Sequence, residues 1–202
     1  MTKIAVIYYS AYGHTYKLAR AVEDGAKSTG AEVRLRKVHE LAPEEVIATQ
    51  KGWVEHRVAT QHVQEATLDD LEWADGFAFG TPTRFGNPTA QLKQFIDTTG
   101  PLWLKGALAD KAVTSFTGAM NAHGGQESTI IALSNVFYHW GAIIVPMGYT
   151  DPIIYESGGN PYGTSNTSKD GTVPEAVLKT AFYQGARLAR FAAAIAQVRA
   201  HA

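Results

Sequence analysis

The chain has 202 residues, 18 Lys plus Arg against 19 Asp plus Glu, no cysteine and 45% hydrophobic residues. At about 150 residues per domain this is the length of one domain with a real core, and its ordinary apolar and charged fractions argue against global disorder. A formal charge of -1 speaks against a mainly electrostatic binder of nucleic acid or anionic membrane, and the lack of cysteine excludes a disulfide framework, a thiolate zinc site, a Cys-ligated iron-sulfur cluster and a thiol nucleophile.

Apolar, β-branched runs alternate with stretches of helical period, the pattern of a βαβ protein with a mainly parallel sheet. Residues 4–9 read as a buried strand. This run is too short for a signal-peptide core and a polar turn follows at once. No later segment approaches the ~18 uninterrupted apolar residues of a spanning helix; a soluble, cytoplasmic protein is expected. Leu18, Val22 and Ala26 then repeat at fourfold spacing, and Gly30 suits the stop of that helix. Residues 32–38 alternate polar and apolar as an edge strand whose basic residues form its wet face. Residues 42–67, rich in Gln, Glu, His and Thr, read as a surface excursion holding one helix.

Residues 67–71 predict a short capped helix, 76–80 a third strand, and 88–99 a helix with Leu92, Phe95 and Ile96 inward. Residues 111–116 read as a fourth strand, 127–139 as a helix and 142–146 as a fifth strand stopped by proline. Residues 149–171 form a long glycine-rich loop, and loops of this length are usually functional or disordered. Thr172-Val173-Pro174-Glu175 has capping-box spacing, and Leu178, Ala181, Phe182, Gly185, Leu188, Ala192 and Ile195 make the apolar stripe of a last helix. Residues 1–202 are read as a single flavodoxin-like domain: a three-layer α/β sandwich with a five-stranded parallel sheet of order 2-1-3-4-5.

In that order the first, third and fourth strands are neighbours, so the loops after them meet on one rim beside the switch point, where such folds bind ligands. The loops are Ser10-Ala11-Tyr12-Gly13-His14-Thr15, Pro82-Thr83-Arg84-Phe85-Gly86-Asn87 after Thr81, and Ala119-Met120-Asn121-Ala122-His123-Gly124 after Gly118. All are rich in hydroxyl, amide or glycine, and none contains an acid. The first feeds a helix N-terminus whose free N–H groups and dipole favour a phosphate, with Ser10 and Thr15 as added donors. The helix's first turn carries no Asp or Glu to neutralise that end. The plain alternative is a strand-helix connection. No GxxxxGK[ST] and no GxGxxG follows the strand, which disfavours a P-loop NTPase and a Rossmann dinucleotide site. The second loop can present backbone groups with Thr83, Arg84, Phe85 and Asn87 to a flat heterocycle, or is a proline-glycine turn with a solvated Arg84. In the third, Asn121 and His123 can hydrogen-bond a ring edge or a polyol chain.

Tyr8-Tyr9-Ser10-Ala11-Tyr12-Gly13-His14, Gly80-Thr81-Pro82-Thr83-Arg84-Phe85-Gly86-Asn87, Gly124-Gly125-Gln126-Glu127 and Val145-Pro146-Met147-Gly148-Tyr149 resemble, in order and spacing, the WrbA-type NAD(P)H:quinone oxidoreductases. The likeness extends to Pro161-Tyr162-Gly163 and to Tyr183-Gln184-Gly185 in the last helix. It implies non-covalent FMN, with the phosphate on residues 10–15, the isoalloxazine between residues 82–87 and the third loop, and a further contact at His139. It also implies that Tyr12 and Trp103 border the pocket where nicotinamide and quinone bind in turn, and that a homotetramer completes its active sites across subunits. Where the family commonly has a Ser-Thr-Gly-Thr-Gly-Gly type string, this chain has residues 119–124, which implies that the third loop's contacts are made by backbone or are altered.

The chemistry so implied is a ping-pong, two-electron reduction of quinones by NADH or NADPH through flavin, so no classical acid, base or nucleophile is required of the chain. Tyr12, Phe85 and Trp103 suit a flat apolar slot, and backbone amides or Arg84 can stabilise charge on the flavin. His139 is a candidate hydrogen-bond partner or proton relay, although a histidine at a helix C-terminus is also favourable with the dipole. His56 and His62 read as exposed residues rather than metal ligands, and Trp53, Trp73 and Trp140 as core or contact residues. A flavodoxin-like electron carrier and a flavin-binding regulatory protein without turnover are the competing readings; the near-zero charge fits a carrier's acidic docking face poorly.

Overall fold

The computed structural model describes residues 1–200. In chain order the elements are β1 (Lys3–Tyr8), α1 (His14–Lys27), β2 (Glu32–Lys37), α2 (Glu44–Ala48), α3 (Lys51–Ala59), α4 (Leu68–Trp73), β3 (Gly76–Pro82), α5 (Ala90–Asp97) and α6 (Gly100–Leu104). They continue with β4 (Ala112–Ala119), α7 (Gln126–Trp140), β5 (Ile143–Ile144), α8 (Ile153–Glu156), β6 (Ser165–Thr167) and α9 (Glu175–Arg199). The strands are parallel in the order β2-β1-β3-β4-β5, with β6 beside β4. No described helix is long and apolar enough to cross a membrane.

Period-two alternation divides β1 between two cores. Ile4, Val6 and Tyr8 meet Leu18, Val22, Leu188 and Ala192 of α1 and α9, whereas Ala5, Ile7 and Tyr9 face Leu71, Leu92, Leu133 and Phe137 of the opposite layer. Burial on both faces explains why β1 is a nearly continuous apolar run and why even the Thr114, Ser115 and Thr117 side chains of β4 are buried. Leu92, Phe95 and Ile96 are buried as their spacing predicts.

The sheet has six strands rather than five. Pro146 has no N–H to continue the ladder, so β5 ends after Ile143 and Ile144 pair with Ala112 and Val113. The chain returns within the predicted long loop as β6, which pairs Ser165 to Thr167 with the upper end of β4. The excursion holds two short helices, and α3 has no fully buried residue, so no apolar stripe announced it. Arg34 and Arg36 of β2 do more than wet its face: both bind the buried Asp70 carboxylate of α4 at 3.1 Å, and Asp70 also closes the predicted cap with Thr67.

At the other end, the box expected at Thr172 and Glu175 does not form; α9 starts at Pro174 without a side-chain cap. Thr172 N–H instead donates to the Asp170 carboxylate at 3.0 Å. Phe182 is exposed because α9 meets α1 backbone to backbone. A Cβ on Gly25 would lie 1.9 Å from the Phe182 carbonyl oxygen, and one on Gly185 would lie 1.9 Å from that of Val22. The buried stripe therefore runs through Ala181, Gln184, Gly185, Leu188 and Ala192.

Gly185→Ala is expected to cost about 1–3 kcal/mol of stability in urea unfolding, because forced overpacking outweighs the gain in helix propensity. A second expectation concerns Lys111, buried below β4 with Nζ donating to the Leu71 and Glu72 carbonyls at 2.8 and 2.9 Å. Burial pulls its pKa from 10.5 down to about 8. Between those values the unfolded chain holds more protons than the folded one, so this group makes stability rise with pH across that window. Unfolding free energies from pH 8 to 10 should show a shallower rise in Lys111→Met than in the wild type.

Candidate functional site

Gly13 stands at the N-cap of α1 with φ +90°, no side chain caps the helix, and its first turn has no acid. The Gly13 N–H is satisfied by Ser10 Oγ at 3.0 Å. Among the described residues no hydrogen-bond acceptor lies on the N–H groups of His14, Thr15 or Tyr16. These are the orphan donors every helix start presents, and here they point out at the C-terminal rim of the sheet. Thr15 is buried and Ser10 half-buried beside them.

Two histidines flank this loop. His14 packs against Gly171, and its pKa is lowered from the ordinary histidine value by burial and Lys17, against the pull of Asp170. His56 is half-buried, not exposed: its ring lies beside Gly13 and 5.5 Å from the Tyr16 ring. Burial, then Lys37 and His14, push it down to about 4, so it is neutral at pH 7. His62 is exposed, as expected.

The second loop turns back on itself. Arg84 and Asn87 exchange both backbone hydrogen bonds at 2.8 and 3.0 Å, with Phe85 and Gly86 at φ +52° and +77° between them, the conformation of a tight type I′ turn. Phe85 is fully exposed at its tip, and the Arg84 guanidinium donates to the Thr83 carbonyl at 3.0 Å. Thr83 joins this loop to the next: its N–H donates to the Gly118 carbonyl at 2.9 Å, and its Oγ1 accepts from the Gly86 N–H and the Thr129 hydroxyl. A Cβ on Gly125 would lie 2.7 Å from Gly86 Cα, so the two loops form one wall. In the third loop the Asn121 side chain is used internally, accepting from the His123 N–H at 3.0 Å. Met120, Ala122 and His123 are exposed. Gln126 Nε2 holds the Asn121 carbonyl and Thr167 Oγ1, both at 2.8 Å.

Tyr12 stands beside these loops, its ring 5.9 Å from that of Trp53 and its hydroxyl donating to Gln50 Oε1 at 3.3 Å. Trp53 thus serves the rim as well as packing against the core. Trp103 and His139 lie elsewhere in the chain. From Gln126 at the loop rim, α7 descends 15 residues, about 22 Å, and Asp110 N–H donates to the Gly141 carbonyl just before β4 begins. His139 and Trp103 therefore sit toward the N-terminal edge of the sheet, joined by a 2.9 Å hydrogen bond from Trp103 Nε1 to the His139 carbonyl. Residues 10–15, 82–87 and 119–124 are brought together; these two are not.

A model of the NADPH-dependent FMN reductase family matches residues 2–150. The chain belongs to that family. A curated relative from Deinococcus radiodurans, named NAD(P)H dehydrogenase (quinone), is 48% identical over 166 residues, covering 82% of this chain and 83% of its own. One of the same name from Sinorhizobium fredii is 43% identical over 206 residues, covering 97% and 100%. Among solved structures, a WrbA-like flavodoxin from Agrobacterium tumefaciens superposes with a TM-score of 0.69 at 26% identity, over 96% of this chain and 99% of its own. By this membership the chain is a flavin-dependent oxidoreductase of flavodoxin-like fold, with NAD(P)H as electron donor.

Gly125→Ala separates the two loops and strains a backbone at φ +91°. It is expected to weaken flavin binding at least tenfold, about 1.4 kcal/mol, in a fluorescence-quenching titration.

Proposed function

We propose that this protein binds FMN and reduces quinones by two electrons at the expense of NADH or NADPH, the two substrates using one slot in turn. The observation that carries this reading is the convergence of the three acid-free loops around the unpaired N–H groups of α1. The residues fit an FMN phosphate without a basic cluster. The His14, Thr15 and Tyr16 amides and the Ser10 and Thr15 hydroxyls offer donors, so the anion would be met by the helix end and hydroxyl groups.

The joined wall of residues 82–87 and 119–124 would hold the ring system, largely through backbone groups. When bound, FMN supplies the chemistry of accepting a hydride and returning two electrons to a quinone. The chain's part is to orient, to exclude water and to stack flat substrates against aromatic surfaces such as Tyr12 and Phe85. Arg84 is engaged with Thr83 and exposed, so its charge acts from the edge.

Trp103, half-exposed on the far edge, and His139 reach a slot of this kind from a second copy of the chain, in keeping with a homotetramer whose sites are shared. Steady-state oxidation of NADH and NADPH with benzoquinone tests the reading. Turnover with parallel double-reciprocal lines is expected; no turnover by the FMN-loaded protein rejects quinone reduction, and intersecting lines reject the shared slot. Trp103→Ala should raise the quinone KM about tenfold while FMN stays bound. Co-assembly of Trp103→Ala with a phosphate-loop variant, Gly13→Val, should restore a fraction of sites with the wild-type quinone KM, which neither variant shows alone, if Trp103 acts across subunits.

A further inference from the structure

Glu40, in the connection between β2 and α2, gathers five donors on one carboxylate. Oε2 accepts from the Tyr9 hydroxyl at 2.9 Å and Trp53 Nε1 at 3.2 Å. Oε1 accepts from Gln91 Nε2 at 2.8 Å and from the N–H groups of Leu41 and Ala42 at 2.9 Å. Tyr9, Gln91 and Trp53 come from three separate places: Tyr9 follows β1 just before the first loop, Gln91 lies in α5 just after the second, and Trp53 lies in α3. Gln91 Nε2 also reaches the Tyr9 hydroxyl at 3.2 Å.

Beyond Trp53, α3 is placed by His56 against Gly13 and the Tyr16 ring and by Lys37 Nζ, which donates to the Thr60 carbonyl at the helix end at 2.9 Å. No residue of α3 is fully buried, and its Arg57–Glu44 ion pair is largely exposed, a kind of contact that contributes little. Its first turn nevertheless supports Tyr12, whose ring is 5.9 Å from Trp53 and would be 3.2 Å from a Cβ on Gly52.

We propose that Glu40 is a positioning residue of the substrate slot: by fixing the Trp53 indole it fixes the first turn of α3, and through it the Tyr12 ring at the rim. This rests on the reading that Tyr12 borders the slot. The chemistry explains why a carboxylate stands there. All five partners arrive as donors, and a carboxylate is the side chain that only accepts. In Glu40→Gln the amide oxygen can serve the three donors at Oε1, leaving the NH2 toward Tyr9 and Trp53. The tyrosine hydroxyl can turn to accept, but an indole N–H cannot, so the lost contact is the one to Trp53.

The test compares wild type, Glu40→Gln, Trp53→Phe and the double variant, all loaded with FMN. Glu40→Gln is expected to raise the KM for NAD(P)H or benzoquinone about five- to tenfold, with kcat within about twofold and FMN affinity within about threefold. Trp53→Phe should do the same, and the double variant should be no worse than either single one. Acrylamide quenching of Trp53, read in each protein as the difference from its Trp53→Phe counterpart, should increase in Glu40→Gln even without substrate. An unchanged KM in Glu40→Gln, additive KM effects in the double variant, or unchanged Trp53 quenching would overturn the proposal. Absence of turnover in the wild type would instead reject the quinone reductase reading, and the quenching comparison would still decide whether Glu40 holds Trp53.

Discussion

The N–H groups that begin α1 have no partner within the described chain, and this one unmet requirement organises the rim around them. A helix start can be closed by its own capping side chain, by an acid in the first turn or by an external anion. Here the N-cap is a glycine and the first turn has no Asp or Glu, which leaves these donors open to an external partner. Sheet order does the rest. With β3 and β4 following β1 across the sheet, their loops arrive beside the same helix end, and Thr83, Gly86 and Gly125 press them into one wall. A chain with almost no net charge can therefore carry an anion site, because its donors are backbone groups.

Legibility in the sequence followed burial. β1, β3 and β4 are covered on both faces and their buried residues mark them as strands, so the strands could be read directly and the flavodoxin-like order they suggest put the loops after them on one rim. β6 could not: Ser165, Asn166 and Thr167 carry no apolar signal, and the strand exists because Pro146 vacates the upper edge of β4. Phe182 was misplaced for a related reason, since two helix backbones in contact at Gly25 and Gly185 turn aside a side chain that periodicity puts inside. The three loops were legible because strand-end composition is local. His56, Trp53 and Glu40 were not, because they join the rim from a segment whose helices bury almost nothing, and their contacts depend on tertiary placement alone.

The two edges of the sheet have separate tasks. The C-terminal rim gathers every loop expected to touch flavin, while Trp103 and His139 hold each other near the opposite edge. In the proposed reading one copy of the chain carries both halves of the slot and a second copy would bring them together, which would make assembly a condition of activity. The excursion touches the first loop directly, with His56 beside Gly13 and Trp53 beside Tyr12.

If phosphate held at the start of α1 anchors the cofactor, a calorimetric titration of the apoprotein with FMN and with riboflavin, which lacks the phosphate, will separate the two flavins. FMN should bind at least about a hundredfold more tightly, a difference of about 2.7 kcal/mol. Equal affinity for the two flavins would contradict it.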